Sequence, residues 1–269
     1  NDKTRQNKRF KNNYFQSLKI NYIYPSKWSR NEIQRLGKDL NQIGIHRIIK
    51  NAIDTKIFKP GNKHNNRKNF DLPLSDFIIM VCAAGFKYNY CKDIETVLAS
   101  FNRIKCDHKG SVSSKKISLM IVGEKSENYK DYVKEDIFFM GSYMYGQQLA
   151  SLYQSADIFV HSSPIETWGL TTSESLSTGL PVVATYVGGL KEQVRGYCID
   201  KTDNNMKRMN NYSIEEANGI MFERGNVDML SRSIKFIYQN QDIYNSLSNN
   251  ARNYAEYHLS INSRIKDYM

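Results

Sequence analysis

QQLASLYQSADIFVHSSPIETWGLTTSESLSTGLPVVAT, Gln147 to Thr185, reads as helix, strand, turn, helix and strand in close succession. DIFVHSS (Asp157–Ser163) and PVVAT (Pro181–Thr185) are short apolar runs without the alternation of a strand wetted on one face. Such strands belong to parallel sheets covered on both sides by helices. The pattern continues outward. FIIMVCAA (Phe77–Ala84) precedes KDIETVLASFNRI (Lys92–Ile104), where Ile94, Val97, Leu98 and Phe101 recur at helical spacing. After a basic loop come ISLMIVG (Ile117–Gly123), a polar helix candidate near Ser126–Lys134, and DIFFMG (Asp136–Gly141). A Gly-Gly turn at Gly188–Gly189 closes the series. The predicted fold class is α/β, a doubly wound parallel sheet of Rossmann-like type. Ligands bind such sheets at the carboxyl ends of the strands, near the topological switch point, and the motifs below fall mostly at those ends.

Residues before about Phe70 differ. NYIYPS (Asn21–Ser26) resembles one strand, SRNEIQRLGKDLNQ (Ser29–Gln42) a helix, and HRIIKNAID (His46–Asp54) another strand and turn. This opening is too short for an independent doubly wound domain and reads as the tail of one. GNKHNNRKN, after Pro60, reads as a linker or exposed loop. From Val227 onward, Leu230, Ile234 and Tyr238, then Leu247, Ala251, Tyr254 and Tyr257, predict two amphipathic helices. There is no internal repeat.

With 269 residues, 40% hydrophobic and 24% charged, the chain reads as soluble and globular. No apolar run approaches the roughly 18 residues that span a bilayer, and no signal peptide is visible, although the chain begins at Asn1 rather than Met. Four cysteines (Cys82, Cys91, Cys106, Cys198) lack paired spacing, which points to a reducing cytoplasm. The net charge of +11 arises partly from clusters such as KTRQNKRFK (Lys3–Lys11) and KHNNRK (Lys63–Lys68). A basic surface attracts nucleic acid, anionic lipid or anionic small molecules; a merely solvated Lys/Arg face explains it equally well.

The chemistry concentrates in ETWGLTTSE. A helix starting near Thr171 or Thr172, either of which could cap it, presents unpaired N–H groups and a positive dipole to an anion such as a diphosphate. Glu174 is placed in the first turn of this helix and Glu166 in the loop before it. A carboxylate accepts hydrogen bonds, so it suits the vicinal hydroxyls of a sugar or ribose. Taken alone, the two glutamates are equally a helix-dipole partner and a surface charge.

The surroundings carry a resemblance. ETWGLTTSE fits the Glu-x7-Glu motif of the retaining family 4 glycosyltransferases. SLSTGLPVVATYVGGLKE (Ser175–Glu192) is similar to that family's continuation, and NAIDTKIFKP (Asn51–Pro60) to its hinge. SLMIVGEK, DIFFMG, LASLYQSADIFVHSS and NGIMFERGNVDML (Asn218–Leu230) match in order and spacing, so the resemblance runs from about Tyr22 to the end. It implies the two-domain GT-B architecture. Residues 1–58 are then the end of an acceptor domain and its hinge. Residues 59–245 form the nucleotide-sugar domain, and residues 246–269 a C-terminal helix crossing back.

The resemblance also assigns roles. Glu174 holds the ribose and Glu166 faces hydroxyls of the donor sugar, making it the one catalytic candidate. Backbone amides of Trp168, Gly169, Leu170 and Thr171 face sugar and phosphates. Met140 and Gly141 meet the nucleobase through backbone atoms. The family's phosphate clamp is Gly-Arg followed five residues after the Arg by Lys; here AAGFKYNYCKD (Ala83–Asp93) supplies Lys92, with Lys87 in place of the arginine. Lysine offers a point charge rather than a bidentate fork. The Trp168 ring is placed either on a ligand or under the loop, and His161 reads as a satisfied core or rim histidine.

No Gly-x-Gly-x-x-Gly, Walker loop or Asp-x-Asp is present, and the five histidines lack ligand spacing. The expectation is a transferase with no metal and no cofactor. It would move a sugar from a nucleotide sugar, uridine-linked before guanosine-linked, to a glycan or lipid-linked acceptor in surface polysaccharide synthesis. Its expected place is the cytoplasm, peripherally at the inner face of an anionic membrane, without nucleic acid as partner. A sugar-nucleotide epimerase of the same architecture and a non-catalytic nucleotide-sugar-binding module are the alternatives.

Overall fold

The computed structural model describes residues 21–36, 45–83, 85–86, 89–108, 115–132, 134–143, 145–199, 206–208 and 214–268. Strands β1 (Tyr22–Tyr24) and β2 (His46–Ile48) pair in parallel as a separate two-stranded sheet, with helix α1 (Lys27–Leu36) between them. Helix α2 (Lys63–Asn69) then leads to β3 (Phe77–Cys82), α3 (Ile94–His108), β4 (Ile117–Val122), β5 (Ile137–Gly141) and α4 (Gln147–Ser155). Next come β6 (Ile158–His161), α5 (Leu170–Ser177), β7 (Val182–Thr185), α6 (Leu190–Gln193), β8 (Gly196–Ile199), β9 (Met206–Arg208) and β10 (Gly219–Phe222). Helices α7 (Val227–Gln239), α8 (Gln241–His258) and α9 (Ile261–Tyr268) end the chain.

The main sheet runs β5-β4-β3-β6-β7-β10-β8-β9. Every pairing is parallel except that of the edge strand β9 with β8, a common exception in α/β sheets. Successive residues of a strand face opposite sides, and the core divides accordingly. Phe77, Ile79 and Val81 of β3 join Val97, Phe101 and Ile234 from α3 and α7. Ile78 and Met80 join Leu152, Leu176 and Ala255 from α4, α5 and α8. That two-sided burial is why these strands read as continuous apolar runs.

Four expectations are corrected. GNKHNNRKN is no loop: Asn62 caps α2 by accepting from the Asn65 N–H at 2.9 Å. Arg67 of this polar stretch is buried; it donates to the Ser155, Leu74 and Asp76 carbonyls at 2.8–3.0 Å and to Asp157 Oδ2 at 2.6 Å. A buried guanidinium needs this many acceptors, and two of them, on Ser155 and Asp157, lie far along the chain. The segment near Ser126–Lys134 forms a 3-10 turn over Ser126–Tyr132, broken at Tyr129 (φ −136°, ψ 42°). Three helices, not two, follow Val227. Finally, α1 begins at Lys27, where the Lys27 and Trp28 N–H groups donate to the Glu192 carboxylate at 3.0 and 2.9 Å.

The C-terminus meets the segment after β2. Ile53 N–H donates to Leu259 O at 2.8 Å and Ile261 N–H to Ile53 O at 3.2 Å. No helix among the described residues is long and apolar enough to cross a membrane.

Candidate functional site

Strand β3 lies between β4 and β6. The chain runs outward through β4 and β5 on one side, then returns to β6 on the other. Connections therefore diverge above the carboxyl ends of β3 and β6 and leave a crevice there. The two loops that leave these ends are laced together. Asp93 N–H donates to Ser162 O at 3.1 Å and Ser162 Oγ to Asp93 Oδ2 at 3.3 Å. Ser163 Oγ contacts both Ile165 O, at 2.8 Å, and Cys91 O. Asp93 also accepts from the Thr96 N–H at 3.1 Å, fixing the start of α3 and thus of Lys92 beside it.

This lacing brings Lys92 and Glu166 together: Nζ lies 2.8 Å from Oε2. His161 Nε2 stands 3.3 Å from the same oxygen, and its Nδ1 is 2.8 Å from Thr172 Oγ1. Burial holds the His161 imidazole below its ordinary range; a carboxylate only accepts, so Nε2 carries a hydrogen and donates to Glu166. For Glu166, burial alone would raise the carboxyl; the hydrogen bonds and charges of His161 and Lys92 outweigh it and hold the group well below the usual carboxylate range. Its other oxygen accepts from the Thr167 and Trp168 N–H groups at 3.0 and 3.4 Å. Glu166 is an ionised carboxylate with fixed orientation.

Helix α5 begins at Leu170, with Gly169 at its N-cap in the left-handed region (φ 64°) and no side-chain cap. The expected caps fail for geometric reasons: Thr171 and Thr172 both lie inside the helix, and the Thr172 hydroxyl is spent on His161. Thr172 and Ser173 N–H both donate to Gly169 O, at 3.1 and 3.2 Å. The N–H groups of Leu170 and Thr171 have no partner among the described residues. Glycine suits 169 because its φ is left-handed and a Cβ would crowd the Leu190, His161 and Thr172 side chains at 3.0–3.1 Å. The Gly-Gly turn supports this loop from beneath. A Cβ on Gly188 would lie 1.9 Å from Glu166 O, and one on Gly189 2.0 Å from Thr167 O.

Glu174 falls in the second turn of α5, not the first. It is buried, and Tyr153 Oη donates to its Oε2 at 2.7 Å. Burial pushes the carboxyl up to about 7, against the opposing hydrogen bond from Tyr153. Met140 and Gly141 end β5. Pairing with β4 steps from Phe139↔Ile121 to Gly141↔Val122, so Met140 is bulged out of register. Gly141 is already engaged, donating to Glu124 O at 3.0 Å and accepting from Gly123 N–H at 2.6 Å. The Trp168 ring is 1% exposed and packs under the loop in the core. Leu170 is exposed and Thr171 half-buried. Lys87 lies outside the described residues.

The sequence does not single out Tyr153, and it offers Thr172 as a cap and His161 as a satisfied core or rim histidine rather than as partners of each other. Tyr153 is one more apolar position on α4 when read by periodicity, and only the fold brings its hydroxyl to Glu174. Among the described residues no cluster of His, Cys, Asp or Glu has a metal-binding arrangement.

A family model described as glycosyl transferases group 1 matches residues 62–254. In sequence the chain is similar to a GDP-mannose-dependent alpha-mannosyltransferase of Corynebacterium glutamicum, 30% identical over 173 residues covering 61% of this chain and 38% of the relative. A D-inositol 3-phosphate glycosyltransferase of Acidothermus cellulolyticus is 26% identical over 160 residues, 55% of this chain and 35% of the relative. Each relative is thus matched over little more than a third of its length. Sucrose-phosphate synthase of Thermosynechococcus elongatus aligns in structure with a TM-score of 0.71 at 20% identity, over 92% of this chain and 56% of that one. HepE of Anabaena, in complex with UDP-glucose, gives a TM-score of 0.70 at 15% identity, over 91% and 61%. These structural likenesses establish the fold.

Proposed function

The chain belongs to the glycosyl transferases group 1 family, and on that premise we propose that it forms the donor-holding part of a retaining glycosyltransferase. The observation that carries this reading is the Lys92 ammonium, 2.8 Å from Glu166 and in the same crevice as the uncapped start of α5. A nucleotide-sugar diphosphate is an anion that the Leu170 and Thr171 N–H groups and the helix dipole can accept. Lys92 then neutralises charge as the diphosphate departs, with Lys87 as a second cation and no metal. Once Lys92 turns to phosphate, Glu166 is free to accept hydrogen bonds from hydroxyls of the donor sugar. Glu174 takes the ribose hydroxyls on the oxygen that Tyr153 leaves open. The bulged Met140 offers backbone groups to the base, in a way that Gly141, already engaged, does less fully.

In this reading residues 59–245 hold the donor, residues 1–58 end the acceptor domain and hinge, and residues 246–269 return toward it. The pairing of Ile53 with the α8–α9 junction supports that return. The donor is a uridine or guanosine diphosphate sugar: UDP-glucose accompanies HepE, and GDP-mannose is named for the Corynebacterium relative. The acceptor is a glycan or lipid-linked sugar of a surface polysaccharide, reached at an anionic membrane surface through the net charge of +11.

A thermal-shift panel of UDP- and GDP-sugars, with and without EDTA, tests the reading. A ligand that binds only the native state raises apparent stability. The expected result is a rise with at least one nucleotide sugar, unchanged by EDTA. Absence of any rise across the panel contradicts it.

A further inference from the structure

Lys50 follows β2, and its ammonium lies 5.7 Å from the centroid of the Trp168 ring. A cation is attracted to an indole face, but the ring carries no net charge to balance it. The side chain is half-buried and has no hydrogen bond or ion pair among the described residues. Burial, and then the charges of Arg264, Arg195 and Lys27, hold it below the usual ammonium range, with Glu192 the acid that faces it. Glu192 is already engaged by the Lys27 and Trp28 N–H groups. Arg195 is paired with Glu216 at 3.0 Å and Arg264 with Asp267 at 2.7 Å, so neither acid serves Lys50.

The positive field extends to His258. Burial, followed by Arg195, Lys50 and Arg264, holds its imidazole below the ordinary range. Arg195 Nη2 stands 3.2 Å from His258 Nε2. Guanidinium can only donate, so His258 is neutral and accepts. Beneath the ammonium, the indole N–H of Trp168 is buried and without a hydrogen-bond partner among the described residues.

A half-buried cation whose charged neighbours are cations apart from one carboxylate, Glu192, is unfavourable unless a further anion arrives from outside. We propose that Lys50, lying over Trp168 and flanked by Arg195 and Arg264, anchors a second anion site that takes a phosphate group. A phosphate dianion suits it because its several oxygens can serve donors arriving from the β2 exit, the loop after α6 and α9 at once. Lys50 meets the loop before α5 through the buried Trp168 ring, whereas Glu166, two residues earlier, faces Lys92 in the crevice. The second anion site holds whether or not the crevice carries a nucleotide sugar. The phosphate belongs either to a phosphorylated sugar or to free phosphate.

The chain has two tryptophans, so Trp28→Phe leaves Trp168 as the only indole reporter, next to the ammonium. Inorganic phosphate and a hexose 6-phosphate are titrated into this variant at constant ionic strength. The expected result is a saturable change in emission across the millimolar range. It should survive Glu174→Ala and Lys50→Arg and weaken at least tenfold in Lys50→Met. A tighter response to the sugar phosphate identifies a phosphorylated sugar, and an equal response identifies phosphate itself; both uphold the site. No saturable change in Trp28→Phe, which leaves Lys50 in place, overturns it. So does an unchanged apparent affinity in Lys50→Met.

Discussion

Lys92 Nζ rests 2.8 Å from Glu166 Oε2, an ion pair that joins the loop after β3 to the loop after β6. Both residues stand 20% exposed or less, so the pair is sheltered yet reachable from the crevice. In the proposed function this pair is a latch that a diphosphate opens.

Lys92→Met should therefore weaken nucleotide-sugar binding about ten- to hundredfold, since a charged hydrogen bond contributes roughly 1.5–3 kcal/mol. Lys92→Arg should recover part of the loss. Calorimetric affinities equal to those of the unaltered chain would remove Lys92 from the site.

Glu174 makes the same site sensitive to pH. Its carboxyl is raised from 4.5 to about 7 by burial. Its contribution to stability is complete below 4.5 and lost as pH rises through 7, so the unliganded chain should lose melting temperature across that window on account of this group. Binding should run the other way. Ribose hydroxyls stabilise the carboxylate, so affinity should rise between about pH 6 and pH 8. Glu174→Gln should flatten both trends. A parallel fall of stability and affinity, or no change on substitution, contradicts the assignment.

Gly189→Ala places a Cβ 2.0 Å from Thr167 O, backbone against backbone. Nothing flexible can yield there. We expect destabilisation of more than about 2 kcal/mol by denaturant unfolding, together with loss of nucleotide-sugar binding under conditions where the variant is still folded.

Arg67→Met should destabilise the chain by about 3–5 kcal/mol, because it strips Asp157 and the carbonyls of Ser155, Leu74 and Asp76 of a buried donor. Nucleotide-sugar affinity of the folded fraction should be unchanged. A loss confined to affinity would mean that α2 contributes to the site.

The sheet was legible because strands buried on both faces leave unbroken apolar runs such as FIIMVC and ISLMIV. Helix α2 was not, because its one buried side chain is an arginine, and its charged partner, Asp157, lies far along the chain. The candidate site was legible wherever it rests on a local turn: Glu166, Gly169 and Lys92 all sit at strand exits or helix starts. Tyr153 and His161 escaped because their roles arise from contacts between elements. The cap on α5 was misread for a related reason. Threonine is a good cap in general, but Thr172 serves His161 instead, and that leaves the helix start open to an anion.

The central claim is that Glu174 holds the nucleotide of a sugar donor in this crevice. Calorimetric titration of UDP-glucose and GDP-mannose into the unaltered chain and into Glu174→Ala, with circular dichroism to confirm folding, tests it most directly. At least one donor should bind the unaltered chain, and the variant, still folded, should bind it at least tenfold more weakly. Equal affinity in the two proteins would contradict it.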